Sequence, residues 1–327
     1  MSLVRVVLGS VVVATIVAAC HKTPAADDHL AHMSAADVAG SSSRAAGQGA
    51  PNLPASNNNA AARISASPRH GEWVKVAWEP GSSDSLMAWI VYPSTSRAKS
   101  PVVVVVHEIY GLSTWVRGVA DQVAAEGFIA IAPDLNSRVR GGPSTDELSS
   151  DSARKLISGV NSAERNRGIA AVARYAMSQA SADQKYAVIG YCWGGQTVFM
   201  HAINGGINGF SGGVAYYGLP YMNPAPQGAA ATPNADSLAK ITKPVMLLNG
   251  SKDARIASAM PALDSMMKAL KKNYSGTNYE GAVHGFLRAQ DDPKPQPDPA
   301  EAAANLAAAK DAWPKTVAFL KRNLGVK

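Results

Sequence analysis

The stretch VIGYCWGGQTVF, residues 188–199, runs from an apolar segment through Gly190-Tyr191-Cys192-Trp193-Gly194 into a helical pattern. Its spacing is G-x-C-x-G, the nucleophile-elbow pattern with cysteine in the place of serine. Glycines at 190 and 194 suit a sharp strand-to-helix turn, where neighbouring backbone leaves no room for side chains. Such a turn lifts its central residue out of the sheet, and the helix N-terminus behind it favours a thiolate. The chemistry this predicts is nucleophilic attack by Cys192 on an acyl carbonyl. A buried structural cysteine is the plainer reading, but it explains neither the glycines nor the strand-turn-helix order.

A nucleophile of this kind needs a base, and the base needs a group to orient it. Behind an elbow the chain order is nucleophile, acid, histidine. The stretch PVMLLNGSKDARI puts Asp253 just after an apolar run that ends in Gly250, and NYEGAVHGFLR puts His284 in a turn after the next strand. Of the seven histidines, His21, His29 and His32 lie near the N-terminus. His70 precedes the first strand, His201 falls within the helix after the elbow, and His107 belongs to a different site. His284 is left as the base and Asp253 as its acid.

These residues require a scaffold of strands ending at a common edge. EWVKVAWEP and SLMAWIVYP alternate like antiparallel edge strands, whereas PVVVVVHE, FIAIAPD, YAVIGY, GGVAYYG and PVMLLNGS are short, nearly continuous apolar runs. Runs of that kind read as parallel strands buried on both faces. Helical stretches separate them at 116–126, 146–157, 163–178, 196–204, 259–271 and 300–322. The alternation predicts an α/β domain with a mostly parallel central sheet and helices on both faces. Two Pro-rich segments, 219–237 and 289–301, are expected to be surface excursions over the mouth of the site.

The N-terminus has a different character. One early Arg, an apolar run from Val6 to Ala19 and small residues before Cys20 have the signal-peptide layout, and the run is short for a spanning helix. Val17-Ala18-Ala19-Cys20 resembles the lipobox of bacterial lipoproteins, in which the cysteine is lipid-modified. The expected organisation is a signal peptide over 1–19, a lipidated, flexible low-complexity tether over 20–67, and one catalytic domain over 68–327. With Cys20 acylated, Cys192 is a lone thiol in an oxidising compartment. His21, His29, His32, Asp27 and Asp28 match no metal-site spacing.

The 327 residues are 46% hydrophobic and 17% charged, an ordinary globular composition. The net charge of +7 is spread along the chain rather than gathered in a stripe, so nucleic acid is not expected as a partner. No dinucleotide fingerprint and no zinc-ligand spacing occur, so neither cofactor nor metal is expected.

Cys192, Asp253 and His284, taken with the stretch VVVVVHEIYGLSTWVRGVADQVAAEGFIAIAPDL, resemble the dienelactone hydrolase family of the α/β-hydrolase superfamily. The specific parts are H-E-I-Y-G, G-Y-C-W-G-G and H-G-F-x-R, and the resemblance runs from about Gly71 to Leu324. It implies the α/β-hydrolase fold and a Cys-His-Asp triad. It further implies that Glu108 helps form the thiolate when substrate binds, and that the backbone N–H groups of Ile109 and Trp193 form the oxyanion hole. Arg288 matches an arginine that binds the substrate's carboxylate; the family's second such arginine has no clear counterpart, with Arg138, Arg140 and Arg154 all candidates. The expected activity is hydrolysis of activated esters or lactones through an acyl-thioester, as in carboxymethylenebutenolidases. The alternative is a non-catalytic surface lipoprotein that binds a small ligand or partner on a retained hydrolase fold. The signal and lipobox make the expected location exported and membrane-anchored through Cys20, facing the periplasm or cell exterior. The sequence does not fix the oligomeric state, a monomer being preferred.

Overall fold

The computed structural model describes residues 52–94, 98–146, 148–225, 231–290 and 298–326. In chain order the strands are β1 (Gly71–Ala77), β2 (Ser85–Val91), β3 (Ser100–Val106), β4 (Ile129–Asp134), β5 (Ala182–Tyr191), β6 (Phe210–Tyr216), β7 (Met222–Asn223), β8 (Thr232–Pro233), β9 (Val245–Gly250) and β10 (Tyr274–Tyr279). The helices are α1 (Ala60–Ser65), α2 (Thr114–Ala125), α3 (Ser137–Arg140), α4 (Ser150–Ser158), α5 (Ser162–Met177), α6 (Trp193–Ile203), α7 (Ala235–Ala239), α8 (Ala254–Ala269) and α9 (Pro299–Leu324).

Eight strands form one sheet in the order β1-β2-β4-β3-β5-β6-β9-β10. β1 and β2 are the expected antiparallel edge, and β2 also runs antiparallel to β4. Every pairing from β4 to β10 is parallel. Strands β3, β4 and β9 are buried along their whole length, as two-sided coverage requires of near-continuous apolar runs. Successive strand residues point to opposite faces, and β6 shows what covers each one. A side chain at Gly212 would meet Phe319 of α9, while one at Gly213 would meet Val198 of α6. Helices therefore flank both faces, in the α/β-hydrolase arrangement.

Three helix starts differ from the sequence reading by three residues or more, α4 beginning at Ser150 rather than at 146. Helix α6 begins at Trp193 rather than Gln196, because Gly194 and Gly195 are helical and press against neighbouring strands. Helix α8 begins at Ala254 rather than at 259, with Asp253 as its N-cap accepting from the Ile256 N–H at 3.3 Å. The first Pro-rich excursion contains a small hairpin, β7 with β8.

Residues ahead of the expected domain start at 68 also pack on the domain. Leu53, Ala55, Ser56, Asn59 and Ala60 are buried against the domain, and α1 lies along α2. Small, polar composition disguised this segment as linker, yet small residues are what allow close backbone contact. The expected signal peptide, Cys20, and the histidine and aspartate cluster at 21–32 fall outside the described residues. Among the described residues no helix is long and apolar enough to cross a membrane.

Candidate active site

The elbow is built at the junction of β5 and α6. Cys192 has φ 55° and ψ −116° and caps α6 without a side-chain hydrogen bond to the helix. A positive φ is costly for a residue with a side chain, so the surroundings must impose it. They do so by backbone contact. The Cys192 N–H donates to the Tyr216 carbonyl at 3.0 Å, and its carbonyl accepts from Gln196 N–H at 3.1 Å. A Cβ on Gly190 would lie 2.1 Å from the Gly194 carbonyl oxygen, and one on Gly194 would lie 2.4 Å from that of Val106. The elbow thus touches the exit of β3, which carries His107, Glu108 and Ile109.

Asp253 and His284 come together as expected. His284 Nδ1 lies 2.6 Å from Asp253 Oδ2, so the carboxylate that caps α8 with one oxygen holds the imidazole with the other. Burial disfavours the imidazolium, but the charge of the Cys192 sulfur and hydrogen bonds with Asp253 and Cys192 outweigh it and raise His284 to about 10. Burial would also raise Asp253; its hydrogen bond to His284 and that group's charge hold it below the usual carboxylate range. The Tyr217 ring packs on the imidazole, centroids 4.9 Å apart.

Glu108 and Arg288 meet as an ion pair, Nε to Oε2 at 3.2 Å, both side chains largely buried. The other arginines weighed for substrate have partners of their own. Arg138 pairs with Asp84 and Glu164, Arg154 with Asp151, and Arg140 donates to Thr145.

Sequence reasoning put His107 outside the site, and the structure places it directly behind it. His107 Nε2 accepts from the Leu135 N–H at 3.1 Å, which leaves Nδ1 to donate to the Glu108 carbonyl at 2.5 Å. Burial lowers its pKa, in keeping with a neutral ring of fixed tautomer. That carbonyl belongs to the same peptide unit as the Ile109 N–H. The His107 ring also stacks on Trp193 with 7° between planes, and the Arg165 guanidinium carbon lies 4.1 Å from the Trp193 ring centroid. Both residues expected to supply oxyanion donors are therefore held by a shared group.

Two further residues were missed, Tyr191 and Tyr217. Their hydroxyls, and Glu108 Oε1, are buried without a hydrogen-bond partner among the described residues. Burial raises both phenols well above their ordinary value, and the Glu108 charge adds to it in each. Leaving such atoms unpaired costs about 1–3 kcal/mol each unless a ligand or water supplies the partner. Their sequence signal was slight: Tyr191 stood inside the elbow motif and Tyr217 just past an apolar run. Among the described residues no three His, Cys, Asp or Glu side chains are grouped to hold a metal.

Comparison with known proteins adds the lineage. A Synechocystis sp. protein provisionally named carboxymethylenebutenolidase is 28% identical over 228 residues, covering 68% of this chain and 87% of that one. A Bradyrhizobium sp. protein provisionally named 2-oxo-3-(5-oxofuran-2-ylidene)propanoate lactonase is 25% identical over 255 residues, 77% of this chain and 94% of that one. Among solved structures, a dienelactone hydrolase-type protein from Klebsiella pneumoniae superposes with a TM-score of 0.60 at 23% identity, over 77% of this chain and 99% of that one. The dienelactone hydrolase family profile matches residues 86–324, a span that holds the elbow, Asp253, His284, Glu108 and Arg288. The chain belongs to the dienelactone hydrolase family.

Proposed function

We propose that this hydrolase cleaves activated carboxylic esters or lactones through Cys192, with His284 as base and Asp253 as its orienting acid. The observation that carries the reading is His284, held by Asp253 on one side and acted on by the Cys192 sulfur on the other.

The thiolate attacks the carbonyl carbon, forming the C–S bond and placing negative charge on the carbonyl oxygen. The N–H groups of Ile109 and Trp193 receive that charge; fixed donors of this kind are usually the largest catalytic contribution. His107 serves them by gripping the Glu108 carbonyl, which orients the Ile109 N–H and polarises it. Collapse breaks the C–O bond, and His284 returns its proton to the leaving oxygen. Water, deprotonated by His284, then attacks the thioester carbonyl, releasing the acid and regenerating the thiolate. A thiolate is a good leaving group, so productive collapse requires an ester oxygen that leaves more easily, as in enol lactones.

Arg288 suits a substrate carboxylate because a planar guanidinium binds one bidentately. A carboxylate that engages Arg288 loosens its hold on Glu108, freeing Glu108 to act on the thiol. At the N-terminus we place export and acylation at Cys20, which would tether the enzyme to a membrane. Loss of labelled fatty acid incorporation in Cys20→Ala would support that placement, and unchanged labelling would refute it.

The decisive experiment is hydrolysis of dienelactone and a panel of activated esters by the wild type and by Cys192→Ala. Turnover should fall by at least about 10³-fold in the variant. Equal turnover by both proteins would remove the cysteine from the chemistry.

A further inference from the structure

Residues 53–66 precede the span shared with the family and are fastened to the domain at both ends. At one end Ser67 Oγ and the Arg69 guanidinium converge on Asp121 of α2, with Arg69 bidentate at 3.0 and 2.6 Å. Within the segment, Arg63 donates to the Leu53 carbonyl and to Gln122 of α2 at 2.6 and 2.7 Å. A Cβ on Gly118 of α2 would lie 2.9 Å from the Ala55 Cβ, so the segment seats on the helix where a side chain is missing.

Three further bonds tie it to the loop of His284 and Arg288 and to Trp115. The Asn57 N–H donates to the Arg288 carbonyl at 3.0 Å. Gln290 Nε2 donates to the Pro54 carbonyl at 2.9 Å and to its own loop at the Leu287 carbonyl at 3.0 Å. Trp115 Nε1 donates to the Ala55 carbonyl at 2.9 Å, and the Trp115 ring packs edge-on against Tyr191, centroids 5.0 Å apart. One short segment thus grips the loop that carries both His284 and Arg288, and braces the residue before the nucleophile.

We propose that residues 53–66 are a strap that positions Arg288, and so sets how strongly the site selects a substrate bearing a carboxylate; this deepens the hydrolase reading above and rests on it. The loop 284–290 is a series of turns whose short-range bonds run among Val283, Gly285, Phe286, Arg288 and Ala289. His284 is held separately by Asp253, and Phe286 and Leu287 are buried in the core, so the strap's bonds bear on the Arg288 end of the loop. The strap's two bonds, one to the Arg288 carbonyl and one from Gln290, fix its position relative to α2. Binding a charged group bidentately depends on that position within a few tenths of an ångström.

The test uses full-length chains carrying Gly118→Leu, which lifts the strap off an intact helix, or Gln290→Ala, which cuts one tie. The substrates are two esters with the same activated leaving group, one bearing a carboxylate and one uncharged. Gly142→Ala is the control, since a Cβ there meets nothing. Amide exchange in 284–290 should quicken by about tenfold, and KM for the carboxylated ester should rise by about tenfold while kcat/KM for the uncharged ester changes less than about twofold. Unchanged exchange in both strap variants, or equal losses on the two esters, would overturn the strap. A wild type without preference for the carboxylate would sink the substrate reading instead. Exchange alone would then decide, supporting the strap if quickened and refuting it if not.

Discussion

At the scale of single residues, the site turns on one titration. The raised value of His284 depends on the Cys192 sulfur, so Cys192→Ala should lower its pKa from about 10, read by NMR titration of the imidazole. An unchanged value would mean that the sulfur does not act on the ring. The sign for stability follows from the same shift. A folded-state pKa raised from 6.5 to about 10 stabilises the fold fully below about 6.5, and that contribution disappears as pH rises through about 10. The alkaline loss of stability should therefore be smaller in Cys192→Ala. The elbow at Cys192 and the contact of Asp253 with His284 were legible in the sequence because elbow spacing and chain order constrain types and positions together. His107 and the two tyrosines were not, because their roles arise from a peptide's orientation and from hydroxyls left unpaired, and neither leaves a spacing in the sequence.

At the scale of elements, the elbow is a packing problem between β5, α6 and the exit of β3. Gly190→Ala sets a methyl group 2.1 Å from the Gly194 carbonyl, and backbone on both sides prevents relief. The expected loss is about 2–4 kcal/mol of unfolding free energy by urea denaturation, against less than about 0.5 kcal/mol for Gly142→Ala. Equal effects would show that the turn is more pliant than its contacts imply. The sheet was readable here because near-continuous apolar runs mark parallel strands, and the start of α6 was misjudged for a related reason. Paired glycines read as a turn from propensity alone, and only the closeness of β3 and β6 explains why they are helical. The strap was missed on composition: Asn57, Asn58, Asn59 and the alanines around α1 look like linker until α2 supplies the partner surface.

At the scale of the whole molecule, a buried histidine away from the chemistry makes the fold sensitive to acid. His201 lies on α6, fully buried, with Nδ1 2.6 Å from Asn166 Oδ1 and Nε2 2.8 Å from the Tyr186 hydroxyl. Neutral imidazole satisfies both, donating from Nδ1 and accepting at Nε2. Tyr186 in turn accepts from the Ile207 N–H at 2.9 Å, so the chain of bonds ties α5 and α6 to the loop that leads into β6. Burial pushes His201 down to about 3, which makes its protonation in the folded state unfavourable across most of the acid range. The unfolded chain takes up that proton near its ordinary 6.5, so the stabilisation is complete above about 6.5 and is lost as pH falls toward about 3. His201→Gln keeps a donor and an acceptor without the titration. Its stability should fall less steeply between pH 6 and 4, by up to about 1.4 kcal/mol per pH unit, in urea unfolding followed by tryptophan fluorescence. Parallel slopes in the two proteins would show that His201 does not control acid stability. The load would then pass to the paired carboxylates, with Asp253 the first to test: its lowered pKa places its own loss in the same direction, as pH falls below the carboxylate range.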